Sequence, residues 1–195
     1  FKKRNNCWYE RFINFKDPKK TFFFEKKIDI KKIEKKINFN LSKNQKFIEY
    51  SELGLIYLSN ISKIIKKNNG GLLLIDYGYT NNKMKNTLQG VYKHKFANIF
   101  DNIGNIDITH NINFNLFKKY TNQLTGLKNN LTTQKKFLIK MGIKHRAEII
   151  SQNQSFTKKA DIYYRLKRLI DEKQMGSLFK VMFIKNRNNN FKLGF

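Results

Sequence analysis

The stretch Gly70-Gly71-Leu72-Leu73-Leu74-Ile75-Asp76-Tyr77-Gly78-Tyr79 constrains this chain more than any other. An unbroken aliphatic run between glycines reads as a strand buried on both faces, the habit of a parallel sheet. It stops at a carboxylate and a glycine. In an open α/β sheet the C-terminal ends of the strands form the crevice where ligands bind, so Asp76 and the turn at Gly78 fall where chemistry is usually done. Upstream, Leu53, Ile56, Tyr57, Ile61, Ile64 and Ile65 recur at helical spacing along one face. They predict a helix over 49–69 closed by Asn68-Asn69-Gly70-Gly71.

The rest of the chain alternates in the same way. Residues 8–15 and 21–25 predict a β-hairpin across a turn at Asp17-Pro18. Residues 26–40, almost all Lys, Ile, Asp, Glu and Asn, fit a short helix or a solvated connection. A loop over 80–86 and an extended piece over 87–94 lead to a turn at Gly104 and the segment 106–109. Asn113 is placed to cap a helix from Phe114 through Leu124 that stops at Gly126. A weak strand over 127–131, helices over 134–141, 144–150 and 160–172, and a strand over 178–184 complete the pattern. Helices alternating with well-separated strands imply an α/β fold with a largely parallel sheet. A length of 195 residues suits one domain or part of one.

Charge narrows the function less than its size suggests. With 40 basic against 14 acidic side chains, a net charge of +26 and a pI near 10.1, the chain would ordinarily point to nucleic acid or an anionic surface. The excess is nearly all lysine, dispersed along the chain and accompanied by Asn, Ile and Phe, four residues with codons rich in A and T. Drift in genome composition accounts for it, and a nucleic-acid surface would instead gather its cations around interleaved aromatics. No specific nucleic-acid partner is expected. Cys7, the one cysteine, cannot form an internal disulfide, and no Cys/His array stands ready for a metal. A reducing compartment fits this usage, and no metal is expected. No apolar segment approaches the roughly 20 residues that span a bilayer, and no signal peptide is visible. No transmembrane segment is expected, and the oligomeric state stays open.

A set of spaced motifs resembles one family. The residues are Trp8-Tyr9-Glu10-Arg11, Gly70-Gly71 through Ile75-Asp76-Tyr77-Gly78-Tyr79, Asn86-Thr87-Leu88-Gln89 with Lys93-His94-Lys95, and Gly104 with Asp107-Ile108-Thr109 and Phe114. Further on come Thr133-Gln134 with Phe137-Leu138, Met141-Gly142-Ile143 with Arg146, Arg168-Leu169-Ile170 with Gln174-Met175-Gly176, Leu178-Phe179-Lys180-Val181, and Gly194-Phe195. In order and spacing these resemble the MidA-like methyltransferases, which include mitochondrial complex I assembly factor seven and its bacterial relatives.

The resemblance implies a class I, Rossmann-like fold that uses S-adenosylmethionine to methylate arginine on a protein substrate, a subunit of respiratory complex I. It implies the C-terminal part of that sheet, strands five to seven, carrying an N-terminal β-hairpin insertion. Residues 1–40 would be the hairpin insertion and connection, and 41–195 the strands with their helices. The family's glycine-rich cofactor loop and its Asn-Glu-Phe-Phe-Asp type motif lie upstream of the part matched. The only adjacent glycines here, Gly70-Gly71, precede a strand, whereas a nucleoside cradle needs glycines after one, opening a helix. A second departure is His110-Asn111-Ile112-Asn113 after Thr109, where the family tends to carry Ala-His-Val-Asp. The chain is therefore expected to be a C-terminal fragment, inactive alone, with most of the cofactor cradle outside it. Its place would be the cytoplasm in a bacterium and the mitochondrial matrix in a eukaryote. The alternative is a non-catalytic, chaperone-like complex I assembly factor that keeps the fold.

Methyl transfer from a sulfonium depends on alignment far more than on acid or base assistance. A guanidinium acceptor is cationic, so its site needs carboxylates that hold it in bidentate fashion and favour the charge-loaded transition state. On that reasoning Asp76 and Asp107 are the candidate catalytic carboxylates. Tyr77, Gly78, Tyr79, His94, Thr109, Glu10 and Gln134 are the candidates near substrate or cofactor. Each has an ordinary structural role open to it: turn capping for Asp76, close backbone approach or positive φ for Gly78, packing for the tyrosines. For the others these are local hydrogen bonding for Asp107, Thr109 and His94, an ion pair for Glu10, and a cap for Gln134.

Overall fold

The computed structural model of the chain describes residues 1–17 and 20–195. In chain order its elements are β1 (Lys2–Arg4), β2 (Cys7–Asn14), β3 (Phe22–Ile28), α1 (Ile30–Ile37), α2 (Glu52–Asn68), β4 (Gly71–Tyr79), β5 (Gln89–Tyr92), β6 (Lys95–Ala97) and β7 (Asp107–Thr109). Then follow β8 (Ile112–Asn113), α3 (Phe114–Gln123), β9 (Leu127–Thr133), α4 (Gln134–Lys140), α5 (Ile143–Ser151), α6 (Phe156–Ile170), α7 (Met175–Leu178) and β10 (Phe179–Asn186). They fall into two units, Phe1–Leu55 with Asn81–Asn111, and Ile56–Thr80 with Ile112–Phe195.

In the first unit the expected hairpin forms between β2 and β3, in antiparallel register from Trp8 opposite Ile28 to Asn14 opposite Phe22. Pro18 of its expected turn lies outside the described residues. The sequence pattern did not reveal β1, which pairs with β2 across a two-residue turn. Asn5 and Asn6 both take positive φ there, the backbone that a tight hairpin demands and that asparagine tolerates. The Lys/Ile-rich stretch after β3 resolves as helix α1. Asp29 caps its start by accepting from the Lys31 amide, and Asn38 ends it in the left-handed region. A second small antiparallel sheet has the order β6-β5-β7.

The second unit holds the sheet that the sequence points to, in the order β8-β4-β10-β9. The three longest strands of this sheet are β4, β9 and β10. The sheet is less parallel than the alternation of elements suggests. Strand β10 inserts between β4 and β9 and runs antiparallel to both, which leaves β4 and β9 parallel to each other; β8 adds a short parallel pair at Gly78 and Tyr79. A strand arriving last in sequence can enter a sheet at any position, so pattern alone does not fix its direction.

Two sequence expectations about burial are corrected. Strand β4 is covered on one face only: Leu72 and Leu74 pack on the core, while Leu73, Ile75 and Tyr77 are 44–47% exposed. Helix α2 turns inward the stripe Leu55, Leu58, Ser62 and Ile65, and leaves Leu53, Ile56, Tyr57, Ile61 and Ile64 exposed. A helix with apolar residues on more than one face carries two competing stripes, and spacing cannot say which one is buried. The helix stop is where the sequence put it, but Asn69 supplies the left-handed turn and Gly70 N donates to the Ile65 carbonyl.

The core of this unit joins Leu58 and Ile65 of α2, Phe114 of α3, Leu127 of β9, and Met182 and Ile184 of β10. Asn113 starts α3 as expected. Its side chain accepts from the Leu116 amide at 3.0 Å in a buried position. Asn113→Ala is expected to cost about 1 kcal/mol by urea denaturation, because it orphans a buried N–H; a change under about 0.3 kcal/mol would show that the cap contributes nothing. Among the described residues no helix is long and apolar enough to cross a membrane.

Candidate functional site

Pairing in the first unit sets a group of distant residues side by side. On β2 the two-residue period turns Tyr9, Arg11 and Ile13 to one face, and the register places Glu25 opposite Arg11 and Phe23 opposite Ile13. The segment after α1 returns along β1: Lys3 N donates to the Lys46 carbonyl at 2.9 Å and Ile48 N to the Phe1 carbonyl at 2.8 Å. That return carries Phe47, Glu49 and Tyr50 to the same place. Loop 80–88 is tied down beside them. The Glu49 carboxylate accepts from the Thr87 amide and hydroxyl, and the Thr87 hydroxyl accepts from the Asn111 amide at 2.9 Å.

The result is a cavity of about 430 Å³ whose wall includes Glu10, Glu25, Glu49 and Glu52 together with Tyr9, Phe23, Phe47 and Tyr50. In a chain of net charge +26, four carboxylates against Lys2, Arg11 and the Phe1 ammonium leave the lining of this cavity net negative. Three of the four are already engaged. Glu25 pairs with Arg4 at 2.9 Å, Glu49 holds Thr87, and Glu52 pairs with Lys36. Glu10 alternates to the opposite face of β2 from Tyr9 and Arg11 and borders the cavity from there; among the described residues it has no hydrogen bond or ion pair, so its carboxylate retains its full accepting capacity. Burial, then the Glu52 and Glu10 carboxylates, push the Tyr50 hydroxyl above the usual phenol range. Tyr50 therefore stays a protonated donor beside an aromatic and anionic wall. The Arg11 guanidinium lies over the Phe23 ring at 4.9 Å, which shows the geometry that this wall offers a planar cation.

The structure distributes the other expected site residues differently. Asp76, Tyr77, Gly78, Tyr79 and Gln134 belong to the second unit, and Glu10, His94, Asp107 and Thr109 to the first. Asp76 does not end its strand, as the sequence suggested; β4 runs on to Tyr79, and the Asp76 carboxylate folds back to accept from the Tyr77 amide at 2.7 Å. Lys180 stands opposite Asp76 in register but donates to the Ser177 carbonyl. The Tyr77 ring lies 4.2 Å from that of Phe179. Gly78 is needed for close approach and not for positive φ: an added Cβ would sit 2.4 Å from the Ile112 carbonyl oxygen and 2.6 Å from the Phe114 ring. Asp107 and Thr109 are exposed on β7, where Thr109 accepts from Gln89 at 3.1 Å. His94 is not in a strand; Lys93 and His94, both with positive φ, make the two-residue turn between β5 and β6. Gln134 is buried and donates to the Leu169 carbonyl at 2.9 Å, joining α4 to α6.

Sequence reasoning singled out Glu10 and missed Glu25, Glu49, Glu52 and Tyr50. The available signal was scarcity, since each carboxylate in so basic a chain is unusual. After β4 the described residues build no glycine cradle for a cofactor. A nucleoside site needs a glycine turn that leaves a strand and opens a helix, whereas β4 leads into loop 80–88 and the space at Gly78 is filled. Among the described residues no group of three or more His, Cys, Asp or Glu could hold a metal ion.

Comparison with known proteins extends this picture. The chain is 26% identical over 137 residues to the protein arginine methyltransferase NDUFAF7, mitochondrial, of Danio rerio, and 24% over 134 residues to that of Xenopus tropicalis. Those matches cover 70% and 68% of this chain but 32% and 31% of the relatives, so the chain spans about a third of their length. Two crystal structures from Burkholderia thailandensis, one of them bound to S-adenosyl-homocysteine, superpose with TM-scores of 0.73 and 0.72 at 22% and 21% identity. They cover 99% of this chain, and the chain covers 52% and 51% of theirs; at that identity they show a shared fold. Residues 1–133, more than half of the chain and including the whole acidic cavity, match the model of the family described as "Putative S-adenosyl-L-methionine-dependent methyltransferase", and the chain belongs to that methyltransferase family.

Proposed function

We propose that this chain forms the acceptor side of an S-adenosylmethionine-dependent protein arginine N-methyltransferase that acts in the assembly of respiratory complex I. The observation that carries the reading is the convergence of four glutamates and an aromatic wall on one cavity in a strongly basic chain. A guanidinium is bound by such a wall in two ways at once, by bidentate hydrogen bonds to carboxylates and by the faces of aromatic rings. Glu10 supplies the uncommitted carboxylate, Tyr50 a donor that stays protonated, and Glu25 and Glu49 hold the frame through Arg4 and Thr87. A fixed negative wall also stabilises a guanidino group that keeps its positive charge while it is modified. The relatives, both named arginine methyltransferases, agree with this chemistry. The complex I substrate rests on the resemblance to the assembly factors.

Radiolabelled methyl transfer to an arginine peptide from a complex I subunit, by the longest product of the gene, tests the reading. Label on arginine is the expected result. No label, with complex I assembly still dependent on the protein, would replace the enzyme with a non-catalytic assembly factor. The 195-residue chain alone is expected to bind S-adenosylmethionine weakly or not at all, because it builds no glycine cradle; micromolar affinity by calorimetry would contradict that expectation.

A further inference from the structure

In the second unit the outer edge of the sheet carries an opposite arrangement to the acidic cavity. Strand β9 is the edge strand, and beside it lies a cavity of about 570 Å³ in which five of the ten lining residues are lysines: Lys118, Lys128, Lys140, Lys185 and Lys192. They come from α3, β9, α4, β10 and the segment after β10, so the fold and not the sequence brings them together. No acidic side chain lines the cavity, and among the described residues no carboxylate lies within ion-pair distance of any of the five.

Lys185 makes the arrangement costly. It is only 6% exposed, donates to the Phe191 carbonyl, and stands directly opposite Lys128 in the β9–β10 register. Like charges directly opposite on a sheet repel, and a buried ammonium without a counter-charge is disfavoured. Burial, followed by the Lys128 and Lys192 ammonium groups, pulls the Lys185 pKa below the usual lysine range. Four of the five, Lys118, Lys128, Lys140 and Lys192, are exposed and only Lys185 is buried, but together they surround one small-molecule-sized concavity.

We propose that the lysine-lined cavity at the β9 edge is a binding site for a polyphosphate-type anion, whose several negative charges supply the counter-charge that the protein does not. A multiply charged oxyanion bridges lysines from four elements and the C-terminal segment, and so ties the edge strand to α3 and α4. The arrangement is independent of the acidic cavity and of the methyl-transfer reading. Lysines on an edge strand also discourage strand-to-strand aggregation, and the experiment separates that role from binding.

The probe is sodium tripolyphosphate, titrated into the purified chain by calorimetry at fixed ionic strength set with sodium chloride. Saturable one-to-one binding is expected. Lys128→Gln with Lys192→Gln, two exposed positions whose replacement leaves the core intact, should weaken it roughly tenfold. Lys158→Gln with Lys159→Gln on α6 removes the same charge elsewhere and should leave it unchanged. Lys185→Gln should weaken binding further if the variant folds, and the exposed pair keeps the test decisive if it does not. Absence of saturable heat would overturn the site. So would equal weakening by the α6 pair, which means diffuse screening, or unchanged affinity with increased aggregation in the β9-edge pair, which means edge protection alone.

Discussion

Phe114→Ala is expected to destabilise the second unit by about 3–5 kcal/mol, the usual cost of deleting a buried aromatic ring. Phe114 is fully buried and opens α3 immediately after its cap. Its ring fills the space above Gly78 that a Cβ would otherwise occupy, and meets Phe117 edge-on at 6.5 Å. Removing it opens a cavity between α3 and β4 where both are held by the same contacts, with Leu58, Ile65, Met182 and Ile184 left facing the gap. Backbone on either side is fixed by the short β8–β4 pairing and by the Asn113 cap, so the site cannot collapse easily. Urea unfolding of wild type and variant checks this, with a lowered midpoint at unchanged slope as the expected pattern. A loss below about 1.5 kcal/mol would mean that neighbouring chains relax into the space.

Glu10→Gln in the longest product of the gene is expected to lower kcat/KM for arginine methylation by about 10²-fold, the scale for one preorganised electrostatic contact in an active site. The substitution keeps the shape and removes the charge. Because Glu10 has no hydrogen bond or ion pair among the described residues, and is only partly buried, stability should stay within about 0.5 kcal/mol of wild type. Glu49 differs: its carboxylate holds the Thr87 amide and hydroxyl, so replacing it perturbs loop 80–88 as well as the charge. A Glu10→Gln enzyme that methylates within twofold of wild type would remove Glu10 from the acceptor site and return it to a plain strand residue.

Local chemistry made much of the fold readable. The Asn113 cap, the helix stop at 68–70, the hairpin of β2 and β3 and the apolar run of β4 all depend on neighbours in sequence, and all appear in the structure. Expectations failed where a long-range choice was involved. Of the stripe beginning at Leu53 helix α2 buried only Ile65, together with Leu55 and Leu58, because apolar residues lie on more than one face and only the packing decides between them. His94 looked like part of an extended segment, yet Lys93 and His94 reverse the chain without glycine or asparagine, the usual signals of such a turn.

The candidate site shows the same division. Glu10 was accessible through its motif, whereas Glu25, Glu49 and Glu52 are separated from it and from one another by stretches that no local rule connects. Their convergence follows from the β2–β3 register and from the return of residues 46–48 along β1. The apolar strand β4, by contrast, was determined by composition alone, since four aliphatic residues in a row have few other places to go. The sequence by itself therefore determined that the segments of β2 and β3 form a hairpin, where α2 stops and α3 begins, and that an α/β sheet is organised around residues 71–79. Only the tertiary structure decided that β10 enters between β4 and β9, that β4 is covered on one face, and that the scarce carboxylates and five of the abundant lysines gather in separate cavities. Hydrogen bonds and apolar periodicity act between neighbours and leave a mark in the sequence, while register and burial are settled between residues whose separation along the chain carries no such mark.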